Sequence, residues 1–376
     1  MIPPVSPPTS YHFCAGRWRR SPDSPFRYRS SPESPGAMSS QLLPVDKAAP
    51  HRSRASLGML AIALAGLAVV VALVLHFGFE DIVTAILNVG WGMLVVVLAH
   101  VVQVVLSGHG WHAIAQVEQA ASLWWFIQAR WIREAVSNLL PLTQIGGEVV
   151  SLRILVLHGF RNGIAASTMV ADLGSQIVSQ AVFTLLGLAL LLTDGHQGPV
   201  VEWTVLGLLA SVSVLPIFFL AQRRGLLHAT ERLFLSLASR VPLLRGSSLD
   251  GLHDSIHRLF RSPGALLRSF NAHLLSWLIG SLEIWLILYF MGAEVSPRAA
   301  LVIESLSQVV RSVAFAVPAA LGVQEGGFVL IGALYGLSPQ TALALSLSKR
   351  VRELILGLPG LLAWQIMEGR RWWRRG

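Results

Sequence analysis

The chain has 376 residues, 53% hydrophobic and 13% charged, with a mean hydropathy of +0.59, whereas a soluble domain carries about 25% charged residues, so this composition excludes one. Its 29 Lys and Arg against 20 Asp and Glu give a formal net charge of +9, which in a soluble protein would suggest nucleic acid as partner. Apolar runs of about 20 residues recur instead, and multi-pass proteins keep Lys and Arg on cytoplasmic loops, so a membrane accounts for the excess.

In chain order, residues 1–55 are rich in Pro, Ser and Arg and hold nothing that forms a core, which predicts a disordered cytoplasmic tail. Cys14, the single cysteine, lies here without a partner, so neither a disulfide framework nor a Cys metal site is expected. The first apolar stretch begins near Ser56, too late for a cleaved signal peptide, and Met38 is an alternative start. About six full spans follow, at 56–77, 91–108, 164–192, 202–221, 269–291 and 340–367. Two further apolar stretches, 121–158 and 299–336, are broken by Pro141 with Gly146-Gly147 and by Pro318 with Gly322, Gly326 and Gly327. Such pieces read as re-entrant helices, tolerated only where protein or a wet cavity surrounds them; a Pro-kinked ordinary span is the alternative.

Loop charges set the orientation. The tail 1–55 and the loop 222–268 each carry 8 basic and 3 acidic residues, and the end 368–376 holds Arg370, Arg371, Arg374 and Arg375 against Glu368. Loop 78–90 has Glu80 and Asp81 without a cation, and 193–201 has Asp194 alone, which predicts both termini in the cytoplasm. The order span, span, hairpin, span occurs in 56–192 and again in 202–367. Three crossings per half invert the second copy, as in inverted-repeat transporters. Pro141 precedes Glu148, and Pro318 precedes Glu325, by the same interval.

Charges at mid-bilayer are expensive and mark sites. The last span carries Lys349, Arg350, Arg352 and Glu353 near its middle. Spacing pairs Glu353 with Lys349 and Arg350 along the helix, which leaves at least one cation unpaired within it. Asp172, Ser175, Gln176 and Ser179 form one polar stripe, Glu304, Ser307, Gln308 and Arg311 a second, and Arg130, Arg133, Glu134, Ser137 and Asn138 a third. Interhelical glue is the bland reading of each stripe. Glu283 reads as a partner for one of the arginines. His109 and His112 have no nearby carboxylate, so no metal site is expected, and no cofactor motif or catalytic signature such as GxxxxGK[ST], HExxH or GxSxG occurs.

The stretches Asn138 to Arg153, Val323-Gln324-Glu325-Gly326-Gly327 and Leu347 to Glu353 before Pro359-Gly360 resemble the lysylphosphatidylglycerol synthase transmembrane, or flippase-like, family. Within it the likeness is closest to hopanoid-biosynthesis-associated membrane proteins, and it covers about 56–367. The resemblance implies a polytopic domain that handles lipids, with Pro141, Gly147, Glu148, Arg153, Glu325, Gly326, Gly327 and Arg350 on motif positions. Members that make aminoacylated lipids carry a soluble transferase domain, which is not expected here. The first reading is therefore an inner-membrane lipid transporter for a hopanoid or an anionic or aminoacylated phospholipid. Arg153, Lys349 and Arg350 would draw in the head group, and Glu148, Asp172 and Glu325 would balance charge or carry a proton. The alternatives are an intramembrane transferase acting on an isoprenoid or hopanoid lipid, and a scaffold recruiting hopanoid enzymes.

Overall fold

The computed structural model describes residues 79–140, 144–195, 252–314 and 320–373, together with residues 68, 71, 75, 202 and 317. The expected spans 56–77 and 202–221 lie outside this set apart from four of these single residues. So do Pro141, Pro318, the tail 1–55 and the loop 222–268 up to residue 251. Within the described residues the chain is all-helical. It forms α1 Phe79–Val89, α2 Gly92–Ala115, α3 Leu123–Leu139, α4 Gln144–Leu157, α5 Asn162–Thr193, α6 Leu252–Phe260, α7 Pro263–Phe290, α8 Pro297–Val313, α9 Val323–Ala333 and α10 Pro339–Trp373.

Helices α2, α5 and α7 are long and apolar enough to cross a bilayer. The expected outer loop 78–90 is a correction, because it forms α1, with acidic residues where a helix N-terminus favours them. Its Ile82 packs on Leu343 and Ala344 of α10, and Gly90, at φ 47°, ends it. The basic end expected from 368 begins as helix, because α10 continues to Trp373. The expected loop to 268 ends in α6 and the first turns of α7.

The centre of the bundle is the pairing of α2 with α7. Ser107 Oγ lies 3.2 Å from Ser276 Oγ, and Gly110 faces Ala272, so small residues let the two backbones approach, as is usual where lipid supplies no hydrophobic drive. Around this pair α3 packs on α4, α8 on α9, α5 on α7 and α8, and α10 on α3 and α9. The short helices α3, α4, α8 and α9 have 17, 14, 17 and 11 residues, and at 1.5 Å per residue none spans a core of about 30 Å unaided.

Each broken stretch is therefore a helix pair folded on itself, and the second glycine of each Gly-Gly is the contact. A Cβ on Gly147 would sit 2.6 Å from the Arg133 carbonyl oxygen of α3 and meet Ser137 Oγ, and one on Gly327 would press on Val310 of α8 at 3.0 Å. In α10, Pro359 cannot donate to the carbonyl four residues back, yet the helix runs on through it. Trp131 of α3 donates its indole N–H to the nearby Leu356 carbonyl at 2.8 Å, which ties α3 to α10.

Candidate functional site

Helices α2, α3, α4, α5, α7, α8 and α10 surround a cavity of about 190 Å³ whose lining is polar except for Trp277. The cations Arg130, Arg133, Arg311, Lys349 and Arg352 and the carboxylates Glu134, Glu148, Glu283 and Glu304 all face it. Polar faces that cannot meet lipid have turned inward and enclose a space.

The ionic groups form a network with the separate Lys349–Glu304 pair beside it. Lys349 Nζ lies 2.8 Å from Glu304 Oε2, while Gln308 donates to Glu304 Oε1 at 2.7 Å. Arg352 bonds Glu283, and its other amine reaches Glu353 Oε1 at 3.5 Å. Arg350 contacts Glu325 Oε1 at 3.2 Å and Glu353 Oε2 at 3.1 Å. On the other side Arg133 bonds Glu148, and Arg130 reaches Asp172 Oδ2 at 3.8 Å and Glu134 Oε1 at 3.7 Å and donates to Gln176 at 3.2 Å. Asp172 is also held by His273 Nε2 at 2.8 Å. His100 touches Glu283 Oε2 through Nδ1 at 3.2 Å and Glu134 Oε2 through Nε2 at 3.1 Å. Among the described residues the network and the Lys349–Glu304 pair together hold the carboxylates of Glu134, Glu148, Asp172, Glu283, Glu304, Glu325 and Glu353 and the cations of Arg130, Arg133, Arg311, Lys349, Arg350 and Arg352.

The cation that finds no partner within the last span is Lys349, whose carboxylate, Glu304, comes from α8. Lys349, Arg350 and Arg352 all find carboxylates, most of them on α7, α8 and α9 rather than on their own helix. Pairing counted along one helix cannot see such partners. Glu283 is the arginine partner its isolation suggested.

Of the residues singled out by sequence, Glu148, Glu304, Arg311, Lys349 and Arg352 line the cavity. Asp172 stands one contact behind it. Glu325 is fully buried at the start of α9, where its carboxylate accepts the Gly322 N–H at 2.7 Å, and with Arg350 and Glu353 it forms a cluster adjoining the wall. Arg153 lies apart, paired with Glu368 at 3.2 Å. The helix-break residues Gly146, Gly147, Gly322, Gly326 and Gly327 sit at the starts of α4 and α9.

Sequence reasoning passed over His100, Gln103, His273 and Trp277. Their signal was present: His100, Gln103 and Ser107 recur at helical spacing in α2, as do His273, Ser276, Gly280 and Glu283 in α7. His112 instead bonds the Ala121 carbonyl at the α2–α3 turn. The outer contacts are simpler. Arg258 of α6 grips Glu118 through two bonds of 2.9 and 2.7 Å, which raise the affinity of its guanidinium for its proton. Tyr335 donates to Asp194 at 3.0 Å, and Arg298 pairs with the same carboxylate at 2.7 Å.

Membrane-crossing helices that enclose a polar, ion-paired cavity define a multi-pass membrane protein. The family model described as the lysylphosphatidylglycerol synthase TM region matches residues 58–360, and the chain belongs to that family. Membership carries association with membrane lipids. No curated protein matches the chain.

Proposed function

We propose that this protein is a lipid transporter of flippase type in the bacterial inner membrane, serving a hopanoid or an anionic or aminoacylated phospholipid. The observation that carries the reading is the polar cavity among membrane-crossing helices. A head group that is costly to move through hydrocarbon finds hydrogen bonds there, while its hydrophobic part stays in lipid. Arg130 Nε, Glu148 Oε2 and Arg352 Nε are buried without a hydrogen-bond partner among the described residues, so turning these side chains towards a head group breaks no hydrogen bond at those atoms. Arg133, Arg311 and Lys349 would attract a phosphate, with Glu148 and Glu304 opposing them.

The topology that goes with this function has about six full spans and two helix pairs entering from opposite faces in an inverted repeat. Both termini and the basic loop 222–268 lie in the cytoplasm, which the Lys and Arg asymmetry supports. The hopanoid branch rests on the likeness of the Gly-Gly-Glu and Lys349-Arg350 stretches to hopanoid-associated members of the family.

The test is transbilayer movement of acyl-labelled fluorescent phosphatidylglycerol and phosphatidylethanolamine in proteoliposomes, read by quenching from outside. The full chain should speed movement at least tenfold over protein-free vesicles, and Arg133→Gln should lower that rate. Competition by bacteriohopanetetrol assigns the hopanoid branch. Movement no faster than in protein-free vesicles would contradict the proposal.

A further inference from the structure

The two ring nitrogens of His100 lie within hydrogen-bond distance of two different carboxylates, Glu283 at 3.2 Å and Glu134 at 3.1 Å. A neutral imidazole has one N–H and one lone pair, so it can donate to only one of them and would set its lone pair against the other. The arrangement is satisfied by one more proton, carried on the ring or shared with a carboxylate. Neither carboxylate is free to turn away. Gln103 donates to the same Glu283 oxygen at 2.8 Å, Arg352 holds the other Glu283 oxygen, and Arg130 faces Glu134 at 3.7 Å. Among the described residues no group of three His, Cys, Asp or Glu side chains is placed to hold a metal ion, so protons are what join these groups.

Charge balance points the same way. Among the described residues these groups hold one more carboxylate than cation before the histidines are counted. An uncompensated charge in a membrane interior is expensive, and an imidazolium at His100 removes the excess. His273 meets one carboxylate, Asp172 at 2.8 Å, and so lacks the two-sided clamp of His100.

We infer that His100, clamped between Glu134 and Glu283 on the cavity wall, is a proton-binding site that couples passage of an anionic head group to proton movement. This deepens the transport reading and rests on it for the coupling. The surroundings explain the link. From α3 come Glu134 and Arg130, from α7 Glu283, from α10 Arg352 and Lys349, and from α5 Asp172 acting through Arg130. A phosphodiester that draws Arg130 or Arg352 towards the cavity takes positive charge away from Glu134 and Glu283, and these then hold the proton on His100 more strongly. The proton and a singly charged phosphodiester then cross together without net charge, His100 taking the proton up from one side and giving it to the other. Release of the anion returns the arginines to the carboxylates and loosens the proton, so that His100 passes it on and is reprotonated, and the resting ring is protonated at pH 7.

Two measurements on the full chain test this. In protein labelled with nitrogen-15 histidine and reconstituted at pH 7, the His100 resonances, assigned by their loss in His100→Gln, should show both ring nitrogens protonated, and Glu134→Gln should lower that protonated fraction. A neutral imidazole spectrum overturns the inference whether or not transport occurs. The second uses acyl-labelled fluorescent phosphatidylglycerol in proteoliposomes with the membrane potential clamped at zero. A gradient of one pH unit should enrich the probe up to about tenfold in the leaflet facing the alkaline side, since one unit is a tenfold ratio of proton activity. That enrichment should vanish in His100→Gln. Probe that moves but distributes equally with and without the gradient overturns the coupling and leaves transport standing. Probe that does not move in the wild type overturns the transport reading and the coupling with it, and the nitrogen spectrum then decides the proton site alone.

Discussion

Lys349 of α10 and Glu304 of α8 meet at 2.8 Å, each about nineteen-twentieths buried, and this pair closes one wall of the cavity. The ammonium also stands 5.5 Å from the centre of the Phe328 ring of α9, so three helices share one charge. Removing one partner of a buried pair leaves the other charge uncompensated, and the cost exceeds the worth of the pair itself. Lys349→Met should therefore lose about 3–5 kcal/mol of stability. The double variant Lys349→Met with Glu304→Leu should recover most of that loss. Thermal unfolding in detergent checks both, and a double variant less stable than the single would count against this assignment.

The Glu325–Arg350 pair makes a related prediction of different origin. Glu325 caps its own helix and is closed off from the cavity, so its part is to hold α9 on α10. Glu325→Gln and Arg350→Ala should each destabilise the protein, and the double variant should be milder than the two effects added. Unfolding midpoints of the three variants measure this coupling.

Gly147 is a packing position, and Gly326 is not. Gly147→Ala should cost about 1–3 kcal/mol, because the methyl group meets the α3 backbone at Arg133 and disturbs the Arg133–Glu148 pair. A Cβ on Gly326 meets nothing within 4 Å, so Gly326→Ala should be close to neutral. Comparing the two melting temperatures tests whether the helix pair is folded as described.

Tyr335 ties the α9–α10 turn to the end of α5. Tyr335→Phe should lose about 1 kcal/mol of stability. Burial, and then the hydrogen bond to Asp194, raises the affinity of this phenol for its proton above that of a free tyrosine. The folded state thus keeps its proton where the unfolded chain, at about pH 10, begins to lose it. The stabilisation from Tyr335 is full below that pH and falls as pH rises further. The stability difference between wild type and Tyr335→Phe should shrink above about pH 10 and stay constant below it, as read from chemical unfolding between pH 7 and 11.

Much of the architecture was legible because membrane chemistry is written locally. Gly146-Gly147 and Gly326-Gly327 marked the helix breaks, and the stripes through Asp172 and Gln176 and through Glu304 and Arg311 named faces that do turn inward. What stayed hidden was the choice of partner. Glu353 is nearest to Lys349 along the chain, yet Glu304 holds it, because the approach of α8 to α10 is a tertiary fact. The stripe His100, Gln103 and Ser107 marks a polar face of α2, but that His100 stands between two carboxylates from α3 and α7 is again a tertiary fact. The boundary of α1 was missed because an acidic segment between spans reads as a loop, and only its packing on α10 makes it a helix.

The central claim is that a lipid head group enters the polar cavity, and photocrosslinking in native membranes tests it most directly. A benzophenone side chain at Ser137 or Gln180 faces the cavity, whereas one at Leu185 of α5 is on the exposed apolar surface. The account predicts that cavity-facing positions capture lipid through the head group and that Leu185 captures acyl chains, as resolved by mass spectrometry of the adducts. Lipid adducts at Leu185 with none at Ser137 and Gln180 would contradict it.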